Sequence, residues 1–260
     1  MPGASDSKRQ SVPSVTRAVA LLNALAAGAS PARLADLSRT LGIPRSSTLA
    51  LCNTLVESGL LTRSAEGSYS LGPHVLELSR AYLADTDIHR SFEQIVGQEG
   101  ALEEHTLVLS VLEHTDVVYV GRRHGRRAVS VPYELGMRLP ANCTASGKAL
   151  LSELSDEEVR NRFADGLQAL TSHSIVDIEE LLRDLARWRS AGFALDEQET
   201  ALGMTCVGAV VYDSSRRAVA AIAMSAVTAA LGEGTLEQTA AEVKRIAGQV
   251  SADLGAPRRD

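Results

Sequence analysis

Residues 192–213 read GFALDEQETALGMTCVGAVVYD, with Asp196, Glu197 and Glu199 ahead of a glycine turn and Cys206 beyond it. Three carboxylates at this spacing can hold a metal, divide acid and base roles, or stand in a solvated loop. No histidine accompanies them, and the chain's six histidines show no HxxxH spacing. The solvated loop is the simplest of these readings. A second stretch, TASGKALL (144–151), invites comparison with a phosphate-binding loop and fails it. Asn142 stands where the first glycine is needed, and Ala149 follows Lys148 where a Mg²⁺-ligating Ser or Thr is required. Ser146 has no GxSxG elbow around it, and no GxGxxG follows a strand. Cys52, Cys143 and Cys206 lie far apart without a CxxC pair, which argues against a disulfide framework or a zinc ribbon. Buried structural thiols are the ordinary state of such cysteines. Neither a metal nor a cofactor is expected.

The elements that carry these groups must come from 260 residues, 45% apolar and 22% charged, enough for two ordinary domains. Aromatics make up 3%, so aliphatic side chains and alanine must fill the cores. No apolar run reaches membrane-spanning length, and the opening MPGASDSKRQSVPS lacks the apolar core of a leader. A cytoplasmic protein without a membrane partner is expected, with residues 1–13 a disordered tail. The net charge of −6 is uneven: residues 1–80 carry eight basic and five acidic side chains (+3), the remainder eighteen and twenty-seven (−9). A mildly basic front on an acidic body suits a nucleic-acid-binding head.

In that front, Val15, Val19, Leu22 and Leu25 recur at helical spacing up to Gly28. Ser30-Pro31 is expected to open the next helix as N-cap and first residue, with Leu34, Leu37 and Leu41 as its stripe. Gly42-Ile43-Pro44 breaks it, and a third helix starts at Pro44 or Arg45. Its apolar arc is expected to hold Thr48, Leu49, Leu51, Cys52, Leu55 and Val56. Ser46, Ser47, Ala50, Asn53, Thr54 and Glu57 are left on the other side, a face that is small, polar and almost uncharged. The strand–turn–strand pattern of LLTRSAEGSYSLG (60–72) follows, which completes a winged helix-turn-helix over 14–72. The third helix would enter the major groove of double-stranded DNA with Arg45, Ser46, Ser47 and Asn53. Arg63 on the wing would touch phosphate, and Arg33 is taken with it as a DNA contact. A helix from Pro73 to about Asp85 joins head to body, with ADTDIH (84–89) as the hinge.

The body alternates strand pairs with helices. HTLVLSVLEHTDVVYVGRR (105–123) is a hairpin, RRAVSVPY a further strand, and CVGAVVYDSSRRAVAAIAMSAV (206–227) a second strand–turn–strand unit. Helices are expected from Phe92 to about Glu104, from ASGKALLSEL, over DEEVRNRFADGL, through Leu181, Leu185 and Trp188, and over 235–254. An α+β fold on an antiparallel sheet follows.

The chain resembles the IclR family of bacterial transcriptional regulators from about residue 14 to 254. The resemblance is carried by SVTRAVALLNAL, GIPRSSTLALCNTLVESGLL, YSLGPHVLEL, VVYVGR, RLPANCTASGKALL and the stretch 192–213, where Gly192, Asp196, Glu199, Cys206, Val207, Gly208, Val211, Tyr212 and Asp213 fit the family signature. It implies a linker helix over 73–89 and a GAF-like α/β effector-binding domain over 90–260. It also implies homodimers, often pairing into tetramers, on operator DNA, under control of a small organic or aromatic acid. The implied pocket is Leu139, Ala145, Ser146, Asp196, Cys206 and Ser225, with Ala223 beside them. Backbone N–H groups at the start of the Ser146 helix suit a carboxylate, and Met137, Met204 and Met224 would form an adaptable wall. Asp196 beside a carboxylate must be protonated, bonded elsewhere, or facing a donor on the ligand. One departure matters: where the family usually carries a polar residue and then Arg in the recognition helix, this chain has Leu49 and Ala50. Two other functions compete with ligand-controlled DNA binding: an adaptor with a degenerate head, and an enzyme acting on a small acid.

Overall fold

A computed structural model of the chain describes residues 12–84, 87–98, 100, 102–126, 132–231 and 235–257. The chain divides into two compact units between Leu83 and Ala84.

In the first unit α1 (Pro13–Ala24) opens with proline in its first turn, where a missing N–H costs no helical bond. Residues 1–11 of the expected tail lie outside the described residues, and Pro13 is helical. A two-residue strand, β1 (Ala32–Arg33), precedes α2 (Leu34–Leu41) and α3 (Arg45–Glu57). Then come β2 (Leu61–Arg63), β3 (Ser68–Leu71) and α4 (His74–Ala84). The second helix therefore begins at Leu34, after an extended Arg33 whose side chain makes no capping bond, and not at Pro31. The reason is pairing: Ala32 and Arg33 stand opposite Tyr69 and Ser68 of β3, which holds that backbone extended. Gly42 ends α2 at φ 63°, a left-handed turn open to glycine, and so sets α3 across α2. Leu21, Leu25, Leu37, Cys52, Leu55, Leu61 and Tyr69 form one core between the three helices and the wing.

The second unit begins with α5 (Asp87–Gly97), shorter than the helix expected to Glu104. It continues through β4 (Thr106–Glu113), β5 (Asp116–Arg123) and β6 (Arg138–Pro140). Next are α6 (Ala145–Leu151), α7 (Asp156–Arg162) and α8 (Ile178–Ala191). It closes with β7 (Ala194–Glu197), β8 (Met204–Tyr212), β9 (Ala218–Val227) and α9 (Thr235–Asp253). The strands make one six-stranded antiparallel sheet in the order β6-β5-β4-β9-β8-β7. Residues 127–131 of the expected strand RRAVSVPY lie outside the described residues, and β6 and β7 are strands the sequence reading lacked.

Side chains alternate between the two faces of this sheet. The row Ala209–Ile222–Leu109–Gly121 faces α5, where a Cβ on Gly121 would stand 3.0 Å from the Phe92 ring. The adjacent row Gly208–Ala223–Val108 faces α6. A Cβ on Gly208 would stand 2.6 Å from the Ala145 carbonyl, so glycine lets the start of α6 lie directly on the sheet. Thr144 fixes that start by accepting a hydrogen bond from Gly147 N at 3.0 Å.

Candidate functional site

On α3 the outward row is Ser46, Leu49, Ala50, Asn53, Thr54 and Glu57, all exposed and spaced three or four residues apart. Thr48, Cys52 and Leu55 point into the core, with Thr48 Oγ1 tied to the Pro44 carbonyl at 3.1 Å. Ser47 is half-buried at the edge of the row. Leu49, expected in the apolar arc, is 37% exposed. At 100° per residue it lies next to Asn53 at the edge of the outward face, and of its two chain neighbours only Thr48 turns inward. Arg45 is exposed at the helix start, where Pro44 offers no side-chain cap, leaving the first-turn N–H groups free for an anion. Arg33 is exposed beside the wing. Arg63 is exposed too, yet its guanidinium lies 5.6 Å over the Tyr69 ring, which holds it close to the wing.

In the second unit the register lines up Asp196 with Cys206 and Cys206 with Ser225. These three side chains share the α6 face, and each is at most 4% exposed. Cys206 Sγ donates to Ser225 Oγ at 3.3 Å, and Ser225 Oγ donates to the Tyr133 hydroxyl at 2.9 Å. Asp196 Oδ1 accepts from the N–H groups of Glu199 at 2.7 Å and Thr200 at 3.2 Å. Burial drives the Asp196 carboxyl above the ordinary aspartate range, more than these bonds and the Lys148 charge pull it down. Burial likewise pushes the Cys206 thiol up, helped by the neighbouring Asp196 charge, so it is a neutral donor and not a nucleophile.

A buried cation braces this arrangement. Lys148 of α6 is 2% exposed and pairs with Glu199, and with Asp184 of α8 at 3.2 Å. Trp188 Nε1 donates to the same Asp184 oxygen at 2.8 Å. Burial raises the Glu199 carboxyl while the Lys148 charge opposes it. Thr171 and Ser174 hold the Gln198 and Glu199 carbonyls, and Thr200 Oγ1 reaches the Cys143 carbonyl at 3.0 Å. The solvated-loop reading of 196–199 is thus overturned. Asp196 and Glu199 are buried and bonded, and only Glu197 faces water. Among the described residues no group of three His, Cys, Asp or Glu side chains is placed to hold a metal ion.

Two family descriptions match the chain: "IclR helix-turn-helix domain" over residues 14–65 and "Bacterial transcriptional regulator IclR C-terminal" over residues 80–252. The chain belongs to the IclR family. It is 28% identical to the acetate operon repressor of Salmonella typhimurium over 255 residues, covering 95% of this chain and 92% of that protein. The structure of the repressor BlcR from Agobacterium tumefaciens shares 35% identity over 95% of this chain and 99% of that one, with a TM-score of 0.64. An IclR homologue from Microbacterium hydrocarbonoxydans, solved with 4-hydroxybenzoate, has the same fold, with a TM-score of 0.77 at 23% identity over 93% of this chain and 98% of that one. The chain is therefore a DNA-binding transcriptional regulator of this family, built as a helix-turn-helix unit followed by an α/β unit on an antiparallel sheet.

The seven residues that the IclR resemblance assigned to the pocket fall on one side of the sheet. Asp196, Cys206, Ser225 and Ala223 face α6, Ala145 and Ser146 lie at the start of that helix, and Leu139 shares the face through its pairing with Val117. Met204 shares it too. Met224 does not: it is one residue from Ser225 on β9, so the pleat turns it to the opposite face. Sequence reasoning missed Tyr119, Tyr133, Asp184 and the ion-pairing role of Lys148. Tyr119 sits opposite Ser110 on the α6 face and was legible in the alternation of DVVYVG. Tyr133 closes the expected strand RRAVSVPY, and nothing in that local pattern sets its hydroxyl against Ser225 and Cys206.

Proposed function

We propose that this IclR regulator reads operator DNA with the outward face of α3 and releases or tightens that grip when a small organic acid enters the α6 face of its C-terminal sheet. The head spans 14–72, the linker 73–89 and the effector domain 90–260. The observation that carries this reading is the cross-strand row Asp196–Cys206–Ser225, buried and polar, beside the start of α6. Polar groups withdrawn from water need partners, and on this face Asp196 Oδ2 and Ser146 Oγ find none among the described residues.

Arg45, Ser46, Ser47 and Asn53 supply DNA contacts, with Arg33 and Arg63 on phosphates. Leu49 and Ala50 offer no hydrogen bonds, so affinity per half-site is modest and tight binding needs a homodimer, or a tetramer made of two dimers. Effector contacts fall to Leu139, Ala145, Ser146, Asp196, Cys206, Ala223 and Ser225. The raised Asp196 carboxyl eases the problem of an acid beside an acid: burial makes it take a proton more readily than a free aspartate, and in that form it donates to the ligand's carboxylate. The relative solved with 4-hydroxybenzoate supports an acid of this size. The protein works in the cytoplasm as a regulator, not an enzyme, like the repressors it matches.

Fluorescence anisotropy on duplex DNA flanking its own gene, titrated with salt, tests the first half. A steep loss of affinity with salt is expected, and no binding at low salt would favour an adaptor. A thermal-shift screen of small acids, including 4-hydroxybenzoate, tests the second, with Asp196→Ala and Ser146→Ala abolishing any shift.

A further inference from the structure

Tyr133 is 3% exposed, although Pro132, Glu134, Leu135 and Gly136 around it are all exposed. One aromatic ring is inserted into the sheet face from an otherwise solvated turn. Its hydroxyl accepts from Ser225 at 2.9 Å and lies 3.7 Å from Cys206 Sγ. Its ring stands edge-on to Tyr119, with centroids 5.3 Å apart at 77°. Two of the three polar side chains in the buried row therefore spend their bonds on Tyr133. Across the same face Asp196 Oδ2 and Ser146 Oγ, on residues at most 1% exposed, have no hydrogen-bond partner among the described residues. Polar atoms buried that deeply are normally paired. The face is half satisfied by the protein's own phenol and half left with unused hydrogen-bonding capacity.

We propose that Tyr133 is a built-in occupant of the effector site, whose hydroxyl holds the place of an effector oxygen on Ser225, and that the effector binds by evicting it. This rests on the effector reading given above. The tether suits withdrawal. Arg122 Nη1 donates to the Tyr133 carbonyl at 2.7 Å and pairs with Glu134, which is 64% exposed, while the backbone of Gly136 and Met137 stays bonded to Tyr119 of β5, so residues 133–134 can swing out from an anchored base. A competent effector carries an oxygen acceptor for the Ser225 hydroxyl and a second polar group that reaches Asp196 Oδ2 and Ser146. A ligand with only the first merely replaces what Tyr133 gave Ser225, and one with only the second leaves the Ser225 hydroxyl without its acceptor. Tyr133 thereby selects for two-ended molecules.

The test needs no effector. Full-length protein is treated with methyl methanethiosulfonate, and modification of each cysteine is followed by peptide mass spectrometry. Cys143, buried in the same unit, serves as the internal control for general loosening. Tyr133→Phe keeps the ring and loses the Ser225 bond; Cys206 modification is expected to quicken about threefold or more. Tyr133→Ala quickens it tenfold or more. Cys143 stays unchanged in both, and the wild-type Cys206 rate stays flat in low urea, as for a local opening. Unchanged Cys206 rates in both variants overturn the proposal, and so does a parallel rise at Cys143, which marks Tyr133 as ordinary core. Failure of the small-acid screen would count against the effector reading alone and would leave the thiol result standing.

Discussion

The two units treat polar side chains in opposite ways. On α3, Ser46 and Asn53 are exposed to water, with no partner holding them among the described residues. On the C-terminal sheet, Ser146, Asp196, Cys206 and Ser225 are at most 4% exposed. A DNA reader keeps its donors hydrated until phosphates and base edges replace the water, so each contact adds to binding and little to folding. A small-ligand site withdraws its groups beforehand, so the ligand meets an ordered set, and the fold bears the cost until it arrives. The contrast implies that mutations in the head change affinity while mutations in the body change stability as well.

The most severe test of that contrast is Lys148→Met. The substitution leaves Glu199 and Asp184 without their cation in a buried setting, and breaking one side of such a pair typically costs about 3–5 kcal/mol. The chain's single tryptophan, Trp188, donates to Asp184, so fluorescence-monitored urea unfolding reports this unit and not the head. A large fall in the midpoint is expected. Adding Glu199→Gln should recover part of it, because the orphaned charge goes with the lysine. An unchanged midpoint would show that α6 and α8 are held by apolar packing alone.

The head should respond the other way. Asn53→Ala is expected to leave unfolding within about 0.5 kcal/mol of the parent, as for exposed positions generally. It should cost about 1–3 kcal/mol in discrimination between operator and unrelated duplex. Arg45→Ala should weaken all duplexes alike and lower the salt slope by about one, since it acts on phosphate. Anisotropy against both duplexes at several salt concentrations separates the two outcomes. If Asn53→Ala proved neutral, sequence reading would have to come from DNA shape at Ala50.

How legible each region was follows from the same physics. Period 3.6 marked α1, α2, α3 and α9, and the wing followed from its turn residues. The start of α2 was misplaced because β1 is defined by pairing with β3, a contact some thirty-five residues away that no local pattern encodes. In the body the dense strands β4, β5, β8 and β9 were plain. The edge strands β6 and β7 are three and four residues long, too short for alternation to show. That is why Asp196 read as a loop residue: only pairing with β8 makes its position internal. The pocket residues came from family resemblance, and the register of β7, β8 and β9 explains why they belong together. Lys148 was read against a phosphate loop because local spacing cannot reveal a partner at Glu199.

Asp196 gives the smallest and most diagnostic effect. Its carboxyl is raised in the folded protein, so the native state binds its proton more tightly than the unfolded chain does. This contribution to stability is complete below the ordinary aspartate value, about 3.9, and is lost as pH climbs through the raised one. Asp196→Asn removes the ionisation and keeps an oxygen to accept from the Glu199 and Thr200 N–H groups. The variant should therefore melt higher than the parent at neutral pH, by about 2–4 °C for each kcal/mol of relief. The gain should shrink as pH falls and disappear near pH 4. The Asp196 charge also helps raise Glu199, so the difference curve reports residue 196 together with the Glu199 it touches electrostatically. A parent that melts higher at neutral pH would mean that the ionised carboxylate is stabilising. It would also mean that the site is tuned for a donor on the ligand and not for an acid.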